Sequence, residues 1–152
     1  MTGTLSLREA ALAAIATRLV AELPDVTVER ARRSQVDTDT EPMPRLVLTG
    51  EDTQADTSVE FGATHYTIGF WISGFVSSAT DLGAEQGLSH LHARVVDALV
   101  RWTPDEDGLT DPSEGETTFT LFEADQSAKP AGMFAARFSL LAIGPTGGPW
   151  ST

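Results

Sequence analysis

Two runs with helical periodicity interrupt five strand-like runs in the order α-β-β-β-α-β-β, and that order limits what this chain can fold into. Five strands spaced about 4.8 Å apart make a sheet roughly 20–25 Å wide. Two helices, each about 10 Å across, cover one side of such a sheet and no more. The expected fold is therefore α+β: a mainly antiparallel sheet of about five strands with two helices packed on one face. Antiparallel sheets tolerate water on the second face, so that face must meet solvent or another copy of the chain.

The first helix is the best marked. Ser6 and Glu9 form an S-x-x-E capping box, and Leu12, Ile15, Leu19 and Leu23 recur at helical spacing until Pro24. Val26 to Arg30 alternates as a short strand, with Val26 and Val28 inward. Residues 34–44 (SQVDTDTEPMP) read as a loop, and Arg45 to Leu48 as a second short strand. Thr64 to Val76 is the strongest strand signal. Tyr66, Ile68, Phe70 and Ile72 share its core face, and His65, Thr67, Gly69, Trp71 and Ser73 share the other. The second helix is expected over Asp81 to Trp102, with a stripe of Leu88, Leu91, Val95, Leu99 and Trp102. Thr117 to Phe122 and Met133 to Ile143 complete the strands, joined through turn chemistry at Pro130 and Gly132.

A chain of 152 residues suits one domain, 1–152, with acidic loops at 49–63 and 103–116 and an irregular tail at 144–152. It has no cysteine, which removes disulfides, thiolate catalysis and cysteine metal sites. No apolar run approaches the roughly 20 residues of a membrane span. Met1 to Ser6 lacks the pattern of a signal peptide, so the expectation is a protein soluble where it is made, without a membrane partner. The formal charge of −12 is lopsided: residues 1–48 hold six Arg against seven acids, residues 49–152 four Lys or Arg against fifteen acids. Gripping DNA requires cations to neutralise phosphates, and the second half has few. Such a surface either aids solubility or lets DNA pass without adhering.

The uncovered face is expected to carry Trp71, Phe75 and alternate residues of the last strand: Ala135, Arg137, Ser139, Leu141 and Ile143. Aromatic anchors dominate protein interfaces, while a few apolar residues on a solvated face are ordinary. Arg30, Arg32 and Arg33 form the one basic cluster, either a docking patch or a solvated strand end. The candidate interface residues are thus Arg30, Arg32, Arg33, Trp71, Phe75 and Arg137.

Catalytic and cofactor patterns are missing from the sequence. His90 and His92 stand two apart on a helix and point in different directions; His65 lies elsewhere, so the histidines read as surface or packing residues. Asp37, Asp39 and Glu41 resemble the start of a calcium loop, but Pro42 and Leu48 occupy the positions that need Gly and Glu. There is no G-x-S-x-G elbow, phosphate loop or dinucleotide fingerprint. The carboxylates at 105–107 are expected to be exposed, without the burial that general acid work needs. No enzyme activity, metal or cofactor is expected.

The stretches LREAALAAIATRL, ELPDVTVERARR, PRLVLTG, HYTIGFWISGFV, LHARVVDALVRW and SAKPAGMFAARFSLLAIGPTGG cover most of the chain. In order and general character the chain resembles the tail terminator proteins of long-tailed, siphovirus-like phages and of the related gene transfer agents of alphaproteobacteria. The resemblance implies a small α+β subunit that forms a homo-hexameric ring and caps the tail tube, ending its polymerisation. It implies contact with the tail tube protein on one side and the head stopper or connector on the other. DNA would pass through the lumen without specific binding. The location implied is the neck of a virion assembled in the host bacterial cytoplasm, with no catalytic residues. Another head–tail joining protein, such as the stopper, and a tail tube protein are the neighbouring readings. A small-ligand-binding α+β domain is the third; it needs a deep pocket lined by His65, His90 or His92.

Overall fold

The computed structural model describes residues 5–60, 63–104, 108–144 and 148–150. Its elements follow the order α1 (Leu7–Glu22), β1 (Thr27–Arg30), β2 (Arg45–Glu60), β3 (Ala63–Ser77), α2 (Asp81–Leu99), β4 (Ser113–Leu121) and β5 (Ala131–Ile143). The strands form one five-stranded sheet in the order β1-β2-β3-β5-β4. β1 pairs with β2 in parallel; the other three pairings are antiparallel. This is the α+β arrangement that the residue pattern predicts.

Local chemistry sets the helix ends. At the start of α1 the Ser6 hydroxyl accepts the Glu9 N–H at 3.0 Å, satisfying one of the donors a helix start leaves orphaned. The Leu7 N–H is taken by the Pro149 carbonyl at 2.7 Å, and Ser6 bridges Trp150. Part of the tail expected to be irregular thus closes over the helix start. α2 is capped by Thr80, which accepts from the Gly83 N–H at 3.0 Å. It stops at Leu99, earlier than its apolar stripe predicts. Arg101 follows at φ 72, and half-buried Trp102 packs on the core from beyond the helix end.

The core lies between the helices and the even-numbered face of β3 and β5. Ile68, Phe70 and Ile72 of β3 face Leu88, Leu91, Val95 and Leu99 of α2, and Leu12, Ile15 and Leu19 of α1 complete the layer. Phe70 and Phe138 stack at 5.5 Å. Gly74 allows the Phe134 ring to cross β3, since a Cβ there would stand 2.0 Å from the ring. α1 lies mostly over β1 and β2, and α2 over β3, β5 and β4. Arg18 ties the helices together: its Nε donates to the Ala98 carbonyl at 2.9 Å and its guanidinium lies 5.6 Å from the Trp102 ring centre.

Two segments differ from the sequence reading. The acidic stretch from 49, expected as a loop, is strand as far as Glu60 and pairs along β3 to Ala63, with bulges at Gly50/Thr53 and Asp56/Glu60. Gln54, Ala55 and Asp56 are exposed there and cover no core, so the alternation that betrays a half-buried strand is missing. The acidic stretch 103–116 likewise ends in strand, because β4 begins at Ser113 and pairs with Ser139. Leu109, within that stretch, is buried and bridges Ala142. The carboxylates at 105–107 lie outside the described residues. Among the described residues no helix is long and apolar enough to cross a membrane.

Candidate assembly surface

The face of the sheet away from the helices carries the odd-numbered residues of β3 and β5, together with Arg45, Val47 and Thr49 of β2. Its two halves differ. At the Arg45 end, residues 31–44 connect the parallel strands β1 and β2. This connection crosses the sheet as a strap, walling a groove floored by Val47, Ser73, Phe75 and Met133. Asp39, near its middle, accepts the backbone N–H groups of Ala128 (2.9 Å) and Lys129 (3.0 Å) in the β4–β5 connection. The strap therefore spans from one edge of the sheet almost to the other.

The acids of the aborted calcium pattern hold this strap together. Asp37 accepts from the Asp39 N–H at 3.0 Å, and Glu41 from the Asp37 N–H at 2.6 Å. Arg32 clamps Glu41 through two bonds of 2.6 and 2.7 Å, and also reaches Glu29 and the carbonyls of Ser34 and Gln35. Glu29 in turn pairs with buried Arg45. The bonds from Ala128 and Lys129 hold the Asp39 carboxyl below its ordinary value, and the Arg32 bond does the same for Glu41.

Two candidate interface residues are placed differently from the expected bare face and free cation. Phe75 is expected on a bare face, yet it is only 9% exposed, on the floor of the groove that the strap walls. Arg32 was a docking candidate, but its donors are spent on the chain's own carboxylates and carbonyls. Arg30 pairs with Glu9 at 2.8 Å, and that bond holds the Glu9 carboxyl low. Arg33 is exposed. The basic run is therefore mostly an internal fastening, a role visible only once Glu9, Glu29 and Glu41 are brought to it by the fold.

The other half of the face is open among the described residues, with Thr67, Arg137 and Leu141 exposed. Trp71 is half-buried between Thr49 and Arg137 on the neighbouring strands. Arg137 Nε donates to Glu51 Oε2 at 2.8 Å. Gly69 makes room for that carboxylate: a Cβ there would sit 3.1 Å from Glu51 Oε2. Gln54, Thr67, Ser139, Glu116 and Arg137 line a shallow polar groove, and Leu141 is exposed nearby. Of the six candidates, Trp71 and Arg137 come together here, Phe75 and Arg32 belong to the strap half, and Arg30 and Arg33 stand beside the β1 edge.

The histidines do not converge. His65 is on β3, His90 is exposed on α2, and His92 packs edge-on against Phe119 and Phe134, with Nε2 3.3 Å from Thr117 Oγ1. None of the three lines either groove of this face. Groups of three or more His, Cys, Asp or Glu able to hold a metal are absent among the described residues.

No protein-family profile matches this sequence, and no curated protein matches it. Among solved structures, the chain is similar to a protein chain in the virion of a native gene transfer agent particle, with a TM-score of 0.56 and 16% identity. The match covers 91% of this chain and 96% of that one. At that identity the likeness concerns the fold, which the two chains share over nearly their whole lengths.

Proposed function

We propose that this protein is a structural component of a virion, and more specifically a tail terminator whose copies form a ring at the top of the tail tube. The single observation that carries this reading is the fold likeness to a gene transfer agent virion chain, nearly end to end on both sides. The surface supports it. The open half of the sheet offers Trp71, Arg137 and Leu141 for contact, and the groove beside them is lined mainly by polar and charged side chains, unlike the apolar lining usual for a ligand pocket. Such a protein works by assembly, not catalysis. A closed ring from one repeated head-to-tail contact is a common symmetric solution, and the acidic second half suits a lumen that DNA crosses without sticking. Six copies, contact with the tail tube protein below and with the head stopper or connector above are the partners this role requires.

Native mass spectrometry of the purified protein, followed by reconstruction of particles from the producing cells, tests the reading. The expected result is a cyclic oligomer in solution and density for the subunit between the last tube ring and the connector. A strict monomer that also fails to bind tail tubes would sink it. Density one layer higher would assign the stopper role instead, and density repeated along the tail would assign the tube role.

A further inference from the structure

A sheet of five strands in an open arrangement has two edges, here β1 and β4, and among the described residues neither pairs with a further strand. Free edges invite pairing with another chain, and monomeric proteins blunt them with Lys, Pro, bulges or very short strands. β4 has a bulge between Glu114 and Thr117. Beyond it, Thr117–Leu121 reads Thr-Thr-Phe-Thr-Leu, with high strand propensity and neither Lys nor Pro. The Phe122 N–H donates inward to the Ala131 carbonyl. By alternation, the N–H and C=O groups of Thr117, Phe119 and Leu121 point outward from the edge. The side chains of Phe119 and Leu121 are 49% and 41% exposed, on the helix side of the sheet.

The opposite edge is complementary. Arg30 at the end of β1 bonds Glu9 of α1, which places the helix stripe of Glu9, Ala16 and Val20 above that edge. Val20 is 57% exposed. One edge thus carries an apolar rim of Phe119 and Leu121, the other an apolar rim of Val20 and Ala16, both on the helix side. Glu114, Glu116 and Glu123 lie on or next to the first, whereas Arg30 at the second is already paired with Glu9, so the match rests on the apolar rims and not on charge. The pairing directions also agree. β1 is parallel to β2, and three antiparallel steps then lead to β4, so β4 runs opposite to β1. Copies set side by side with helices on the same side bring β4 antiparallel to the next β1, the more stable pairing.

We propose that Thr117–Leu121 of one copy docks against Thr27–Arg30 of a second copy, continuing the sheet from subunit to subunit. This proposal rests on the ring reading above and names the contact that would build the ring. The contact is heterologous, leaving each copy with one donor edge and one acceptor edge.

The chain has no native cysteine, so engineered pairs give a clean test. Thr27, Thr118 and Thr120 are exposed, and Thr27→Cys combined with Thr118→Cys or with Thr120→Cys places one thiol on each edge. Under mild oxidation one of the two double variants should give a ladder of bands beyond the dimer on a non-reducing gel, while single variants stop at the dimer. A cyclic oligomer by native mass spectrometry with no ladder from either pair overturns the edge contact and leaves the ring reading standing. A monomer at every concentration overturns both. Leu121→Lys, which adds the residue that natural edges use for protection, should raise the concentration needed for assembly about tenfold or more, with the unfolding midpoint retained. Unchanged assembly of that variant counts against the proposal.

Discussion

The two sides of this sheet are covered by different means. The helix side is sealed by two amphipathic helices whose buried side chains include Phe70, Ile72, Leu88 and Val95, each at most 1% exposed. The far side is sealed over one half only, by a polar strap whose hold comes from carboxylates bonded to backbone N–H groups and to Arg32. A helix covers a sheet through area removed from water, an effect indifferent to pH. A strap of this kind covers it through charged acceptors, an effect that fades when they are protonated. The difference separates what makes the protein fold from what decides which part of its second face is available.

The sharpest break of this comparison is in the core. Phe70→Ala, beneath the helices, should cost about 3–5 kcal/mol in urea unfolding. Phe75→Ala, beneath the strap, should cost less, about 1.5–3 kcal/mol; a cost equal to that of Phe70→Ala would mean the strap seals as well as a helix. Trp71→Ala, on the bare half, should weaken assembly in sedimentation while leaving the unfolding midpoint nearly unchanged. Equal loss of both would place Trp71 in the core instead. The smallest effect belongs to the strap. Asp39 and Glu41 have folded pKa values below their ordinary 3.8 and 4.5. Their contribution is present above those values and is lost as pH falls through the depressed folded values. Below about pH 4, amide exchange at Ala128 and Lys129 should quicken before global unfolding, and Asp39→Asn should bring the same quickening at neutral pH.

The sequence revealed those elements whose burial leaves a rhythm. Ser6, Glu9 and the Leu12–Leu23 stripe mark α1, and the alternation of Ile68, Phe70 and Ile72 marks β3, because one face of each meets the core. Strand continues through 51–60 without that rhythm, since a strand that covers no core has no period to show. Coverage of Phe75 was hidden for another reason: it depends on Asp39 meeting Ala128 and Lys129, some ninety positions along the chain. Likewise Arg30 and Arg32 look available in sequence because the carboxylates that occupy them come from α1 and from the strap. Trp71 and Arg137 were legible because strand alternation alone decides which way they face, and among the described residues no segment folds over them.

The connection between β1 and β2 holds more chain than its ends demand. Returning from Arg30 to Arg45 along a four-residue strand needs roughly 13 Å, whereas the fourteen residues between them could stretch to about 46–50 Å. Its detour to the far hairpin is therefore not forced by connectivity, and its length is a free variable in design. Shortened versions could still join the same two strands while unroofing Phe75 and Val47; lengthened ones could carry an inserted peptide outward. The same scaffold could thus present a wide or a narrow greasy landing area simply by trimming one linker.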